Sequence, residues 1–216
     1  TIPGALELLH NTTRFNWFNN KAHATPKTGF LYEGWGKINY EVMHPFPAEN
    51  MAMHFCPHEM QTEILNSGRF KVSEGDVDPK DVDADYVFDA RGCMSHDYIK
   101  LTSPVNSVIL GKPKWNTLEN LWTEGVATPN GWTFVIPMHT SSPSHNESVG
   151  YIYNNEITNT SEAEKNFGQI FDVEVTDHLS FDSYMAKSPI VNDRLFLNGN
   201  RLFFLEPMEA TAVEAY

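Results

Sequence analysis

The chain has 216 residues, enough for one to one and a half domains and a sizeable hydrophobic core. Its 15 Lys and Arg against 28 Asp and Glu leave a formal charge of −13, which argues against an exposed nucleic-acid-binding face or an anionic membrane surface as partner. With 41% hydrophobic and 12% aromatic residues the composition is globular, and Cys56 and Cys93 alone supply neither a disulfide framework nor a Cys-rich zinc module, so a reducing, cytoplasmic setting is expected. No apolar run nears the ~18 residues of a membrane span.

The chain reads as one domain over 1–216, an internal portion of something longer: Thr1-Ile2-Pro3 runs straight into an amphipathic segment, and the C-terminal Glu206–Tyr216 reads as a helix without a cap. Two short helices are expected at about 4–10 and 12–20, the second opening on Thr12-Thr13. The runs 29–35 and 38–43 read as a hairpin around Gly34 and Gly36, and 51–55 as a further short strand. Pro57 opens a helix over 58–66, and 70–73 resumes extended structure. A strand over 84–89 ends at Arg91-Gly92. The runs 131–137 and 149–153 look like neighbouring antiparallel strands joined by a polar loop. Ser161 is expected to cap a helix over 162–170, with Glu164 completing a capping box, and short strands follow near Val173 and at 195–197. The class is mixed α and β with an antiparallel sheet.

Three segments invite chemistry. Asn198-Gly199-Asn200 after an apolar strand, followed by Leu205-Glu206-Pro207-Met208-Glu209, is a strand, turn and helix start of the kind that presents backbone N–H groups to an anionic or polar ligand, although ordinary connections look the same. Trp132-Thr133-Phe134-Val135-Ile136-Pro137 places Trp132 and Phe134 on one strand face, where such pairs usually pack in a core. Lys27 precedes the apolar strand Phe30-Leu31-Tyr32, a position that ordinarily belongs to a solvated flank. His54, Cys56 and His58 are close in sequence, but Pro57 interrupts any helix that would gather them, so no metal site is expected.

In this order the pieces resemble the flavin-dependent halogenases of the tryptophan halogenase type. Thr1-Ile2-Pro3 is similar to the end of the family's Gly-Glu-[Ser/Ala]-Thr-[Ile/Val]-Pro segment, and residues 25–35 to the segment that carries its catalytic lysine. His44-Pro45-Phe46 matches His-Pro-Phe, and 84–92 resembles the strand ending in Asp-Ala-[Ser/Thr]-Gly that flavoproteins use near FAD. Residues 132–137 resemble the W-x-W-x-I-P signature with Phe134 for the second Trp. Residues 204–211 resemble the segment that holds the active-site glutamate, with Ala210 and Ala212 replacing the usual Ser and Gly.

The resemblance implies part of an FAD-binding-domain fold of the aromatic-hydroxylase type with an antiparallel substrate-side sheet. It also implies a reaction in which reduced FAD, O2 and halide give hypohalous acid, which reaches a lysine and halogenates a small aromatic molecule. Lys27 and Glu209 would be catalytic, the first holding the halogen donor and the second taking the arene's proton, with side-chain ends within roughly 10 Å. Thr1, Ile2, Pro3, Asp89, Gly92, Gly199, Asn200 and Pro207 would contact FAD. His44, Pro45, Phe46, Trp132, Phe134, Ile136 and Pro137 would line the substrate and tunnel side, and Thr211 and Ala212 would bind halide. A separate flavin reductase is the expected partner, with no nucleic acid and no membrane. Phe134, Ala210 and Ala212 keep a flavin monooxygenase without halogenation open as an alternative, beside a non-catalytic remnant of the fold.

Overall fold

The computed structural model describes residues 3–20, 22–37, 40–47, 52–92, 97–114, 120–137 and 148–205. In chain order they form helix α1 (Pro3–Thr13), strands β1 (Thr25–Lys27), β2 (Gly29–Trp35), β3 (Tyr40–Pro45) and β4 (Ala52–His54), and helix α2 (Pro57–Leu65). Strands β5 (Val87–Asp89), β6 (Tyr98–Lys100), β7 (Ser107–Pro113), β8 (Trp122–Thr128), β9 (Gly131–Ile136) and β10 (Ser148–Tyr153) follow. Helix α3 (Thr160–Ile170) then precedes β11 (Val173–Ser180), β12 (Tyr184–Ala186), β13 (Leu195–Leu197) and β14 (Phe203–Phe204). They fall into two compact units, one of Thr1–Lys71 with Ser107–Ser180 and one of Val72–Asn106 with Phe181–Tyr216. Among the described residues no helix is long and apolar enough to cross a membrane.

The first unit is built on a seven-stranded sheet in the order β11-β7-β10-β9-β8-β2-β3. Every neighbouring pair is antiparallel except β2 with β8. The expected hairpin is present as β2 and β3, and the expected antiparallel neighbours are β9 and β10, with Phe134 opposite Gly150. Val135 on β9 joins Ile109, Val149, Tyr151 and Tyr153 beneath Ala163 and Phe167 of α3. Ala163 and Phe167 are four residues apart and share one helical face, and burying the Phe167 ring contributes on the order of 2–3 kcal/mol.

Three expectations are corrected here. The second helix at 12–20 does not form: α1 runs to Thr13, and Thr12 and Thr13 donate their hydroxyls back to Leu8 O and Leu9 O instead of capping a new helix. Arg14 then adopts φ +61°, which ends the helix, and Phe15 and Trp17 pack with Leu6, Ala22 and Met53 in a second small core. Helix α3 is capped by Asn159, whose Oδ1 accepts from Glu162 N at 2.9 Å, and not by Ser161. Glu164 meets His178 Nε2 at 2.6 Å instead of closing a capping box. Residues 70–73 pair in no ladder.

In the second unit β12 lies between β6 and β14 in an antiparallel sheet, and β5 runs parallel to β13. The expected strand at 84–89 shortens to β5. The Arg194 guanidinium reaches Ala84 O and Lys80 O, at 2.9 Å each, which fastens the approach to β5 beside the start of β13.

Candidate functional site

Lys27 ends β1, and the chain passes through Thr28 directly into β2 of the large sheet. β1 pairs with β4, Lys27 opposite Ala52, so the lysine belongs to a two-stranded ribbon at the margin of that sheet. Thr28 N and Oγ1 both donate to Leu121 O, at 2.6 and 2.9 Å, and Phe46 N donates to Thr28 O at 2.8 Å. These bonds fix the chain immediately after Lys27. Its side chain is 6% exposed, so it is not the solvated flank that its type suggests. Nζ lies 3.4 Å from the Phe30 ring centroid and 5.6 Å from that of Phe46, within the reach of a cation–π contact.

An aromatic surface continues from there. Phe30 stacks with Tyr32 at 6.1 Å, and Tyr32 meets His44 edge-on at 5.5 Å and Trp35 at 6.2 Å. Trp35 contacts Trp132 at 6.5 Å, and Trp132 contacts Phe134 at 6.1 Å. Strand alternation explains the sidedness, since Val135 faces the α3 core and Trp132, Phe134 and Ile136 therefore face away from it. Two glycines let the rings lie close to the sheet. A Cβ on Gly150 would sit 2.2 Å from Phe134 Cζ, and one on Gly125 would sit 3.2 Å from Tyr32 Cδ1. Trp35 Nε1 donates to Gly125 O at 2.7 Å.

On the other face of the same strands, Glu124 Oε1 accepts from Asn120 Nδ2 at 2.8 Å and Trp122 Nε1 at 3.1 Å. Burial pushes the Glu124 carboxyl above its ordinary value, and nearby Glu33 adds to this. Glu33 is raised as well, by burial first and by Glu41 second.

The structure thus brings Lys27, His44, Pro45 and Phe46 together: Pro45 pairs with Gly29 and His44 with Phe30. It connects them through Tyr32 and Trp35 to Trp132 and Phe134, and Pro137 is buried at the end of β9. Phe30, Tyr32, Trp35, His54 and Thr123 are part of this neighbourhood and were not singled out from sequence for it. Aromatic alternation along β2 was an available signal for Phe30 and Tyr32, whereas Trp35 follows Gly34 at φ +73° and the register shift between Glu33 and Trp35. Glu209, Pro207, Thr211, Ala212, Thr1 and Ile2 lie outside the described residues, and with Glu209 the expected Lys27–Glu209 approach; of Pro3 only its place at the start of α1 is described.

In the second unit, Asp89, Gly92, Gly199 and Asn200 are gathered at the carboxyl ends of β5 and β13, where Leu197 pairs with Asp89 and Asn198 N donates to Asp89 O at 2.9 Å. A 3-10 turn over Gly199–Arg201 follows β13, with Gly199 at φ +53° in the left-handed region that favours glycine. A Cβ on Gly92 would lie 3.7 Å from Asn200 Cβ. The Asp89 carboxylate is 5% exposed and held by Arg91, through Nε and Nη2 at 2.9 Å each, with Arg201 Nε 3.2 Å away. Those hydrogen bonds from Arg91 hold the carboxyl below the usual carboxylate range against the opposing effect of burial. Asp89 therefore locks its two loops. Both loops carry a glycine where they leave this parallel pair, which lets a ligand approach their backbone closely.

Because the folded Asp89 carboxyl releases its proton at lower pH than in the unfolded chain, its stabilisation is complete above the unfolded-state value and is lost as the pH falls through the folded one. Asp89→Asn is expected to cost about 2 kcal/mol at neutral pH. The deficit should shrink in acid. Urea unfolding of both proteins at neutral and acid pH checks this, and a pH-independent deficit would contradict it.

The family model for tryptophan halogenase matches residues 104–216, more than half of the chain. Solved structures of similar fold include MibH, a tryptophan 5-halogenase, at 14% identity and a TM-score of 0.76, covering 99% of this chain and 55% of that one. A flavin-dependent halogenase from Xanthomonas campestris is 14% identical, with a TM-score of 0.74 and coverage of 99% and 59%. BrvH, a flavin-dependent halogenase from Brevundimonas sp. BAL3, is 13% identical, with a TM-score of 0.74 and coverage of 99% and 61%. At these identities the likeness is one of fold. This chain spans less than two thirds of each of these structures. No curated protein sequence matches it.

Proposed function

This chain belongs to the tryptophan halogenase family, and from that membership we propose that it forms part of a flavin-dependent halogenase acting on a small aromatic molecule. The observation that carries the reading is a lysine amine enclosed by Phe30 and Phe46 at the border of the aromatic surface that runs to Trp132 and Phe134. An electrophilic halogen needs a nitrogen to hold it and apolar walls that keep water from consuming it.

Bound reduced FAD would supply the electrons with which O2 and halide give hypohalous acid. Asp89–Gly92 and Gly199–Asn200 would hold that cofactor, with Thr1, Ile2, Pro3 and Pro207 as further contacts carried by the resemblance, and Thr211 and Ala212 would bind the halide. Lys27 receives hypohalous acid at Nζ, either as a hydrogen-bonded partner or by exchanging one N–H for N–halogen with release of water. The aromatic carbon then forms its bond to halogen and loses a proton to the Glu209 carboxylate. In sum one C–H and one hypohalous acid become one C–halogen and one water. Trp132 and Phe134 give the arene flat walls. The electrons come from a separate flavin reductase.

The test is an omission series with full-length protein, a flavin reductase, FAD, O2, halide and a panel of indoles and phenols. Halogenated product is expected only when reduced flavin, O2 and halide are all present. Oxygenated product that forms without halide would identify a monooxygenase, and absence of flavin binding would identify a non-catalytic remnant; either outcome overturns the reading.

A further inference from the structure

We infer that His54 is a positioning residue for Lys27: through its hydrogen bond to Thr123 it keeps the lysine amine over the Phe30 ring. Thr25 pairs with His54 and Lys27 with Ala52, so Lys27 and His54 stand on the same face of the β1·β4 ribbon as diagonal neighbours. Such positions lie about 7–8 Å apart, within reach of long side chains. Both residues are buried, His54 at 4% exposure. From β4 the imidazole Nε2 meets Thr123 Oγ1 at 3.1 Å. Thr123 is the cross-strand partner of Phe30 in the parallel β2·β8 pair, and Phe30 is the ring under Lys27 Nζ.

Two side-chain contacts therefore span the ribbon and the large sheet, Lys27 with Phe30 and His54 with Thr123, at register positions that are neighbours on both. The Thr28 bonds to Leu121 tie the chain just past Lys27 to the approach of β8. The His54–Thr123 bond ties the opposite strand of the ribbon to β8 itself, so the ribbon is held at both strands and its lysine has one place to stand. This assigns a task to a buried histidine that the proposed reaction does not itself use. Loosening the ribbon would shift the amine relative to the aromatic wall, and a displacement of about 1 Å at a reacting group costs up to about 100-fold in rate.

The inference rests on the role proposed for Lys27 only in its effect on turnover, so the test reads position and turnover separately. In full-length protein labelled with 13C-lysine, the ε-methylene protons of Lys27, identified by their loss in Lys27→Met, should appear upfield because of the Phe30 ring current. His54→Leu is expected to move that signal toward the exposed lysines and to lower halogenation about 10- to 100-fold, with oxidation of reduced flavin unchanged. His54→Gln, whose amide reaches Thr123, should restore both readings. Thr123→Val removes the same bond from the other side at nearly constant volume and should reproduce the His54→Leu result, which keeps the test decisive if His54→Leu does not fold. An unmoved Lys27 signal in folded Thr123→Val or His54→Leu overturns the inference. A moved signal with undiminished halogenation supports the positioning and instead overturns the catalytic role of Lys27.

Discussion

Replacing Lys27 by Ala should lower halogenation by about 10²- to 10⁴-fold, the range expected when a group that directly handles the reacting species is removed. Oxidation of reduced flavin by O2 should continue at the wild-type rate, because the lysine acts on the hypohalous acid after it has formed. The two readings must be made on the same sample: product by mass spectrometry, flavin by the return of its oxidised absorbance. The wild-type side chain is 6% exposed between two rings, so Lys27→Arg should not restore turnover. A guanidinium is planar, larger and always charged, so its delocalised nitrogens are much poorer nucleophiles toward hypohalous acid than an amine. Equal loss of halogenation and flavin oxidation would place Lys27 in another role.

Gly29→Ala is expected to be strongly destabilising. A Cβ at this position would lie 2.3 Å from His44 O, 2.9 Å from Met43 Cε and 3.0 Å from Pro45 Cα. Two of those three atoms are backbone of β3, which cannot turn aside as a side chain can, so β2 and β3 must separate where Gly29 faces Pro45. Overpacking of this kind costs about 3 kcal/mol, which lowers the melting temperature of a protein of this size by about 6–12 °C. The same separation would disturb Phe46, held through Thr28, and Phe30, so turnover should fall together with stability. Thermal unfolding followed by circular dichroism checks this, and an unchanged melting temperature would show that β3 yields where the geometry says it cannot.

Much of the large sheet was legible because its signals are local. The apolar and aromatic runs 29–35 and 38–43, and 131–137 and 149–153, read as strands joined by turn or polar residues, and the structure pairs β2 with β3 and β9 with β10 antiparallel. β7 was missed because its signal is ambiguous. Its apolar residues Val108, Ile109 and Leu110 are a short continuous run, which periodicity does not distinguish from helix, and it ends in a proline that normally argues against a strand. The parallel pairing of β2 with β8 was also out of reach, since it joins segments as distant in sequence as Gly29 and Trp122, and a non-local pairing leaves no mark in either segment.

The same contrast holds at the site. Lys27, His44 and Phe46 could be named from their motif, but nothing in the sequence said that Lys27 is buried, because that follows from β1 meeting β4 and from two rings brought over it. His54 had only its sequence neighbours Cys56 and His58 to speak for it, and they say nothing of its bond to Thr123. Asp89 could be recognised in its motif, whereas its approach to Arg201 depends on the parallel meeting of β5 and β13.

The central claim, that this chain serves halogen transfer to an arene, is tested most directly in a single turnover. Full-length protein is mixed anaerobically with chemically reduced FAD, bromide and an indole, then given O2, and the product is read by mass spectrometry. The account predicts a brominated indole with the paired bromine isotope peaks in wild type and its absence in Lys27→Ala. A hydroxylated indole in place of it, or equal bromination by the two proteins, would contradict the account.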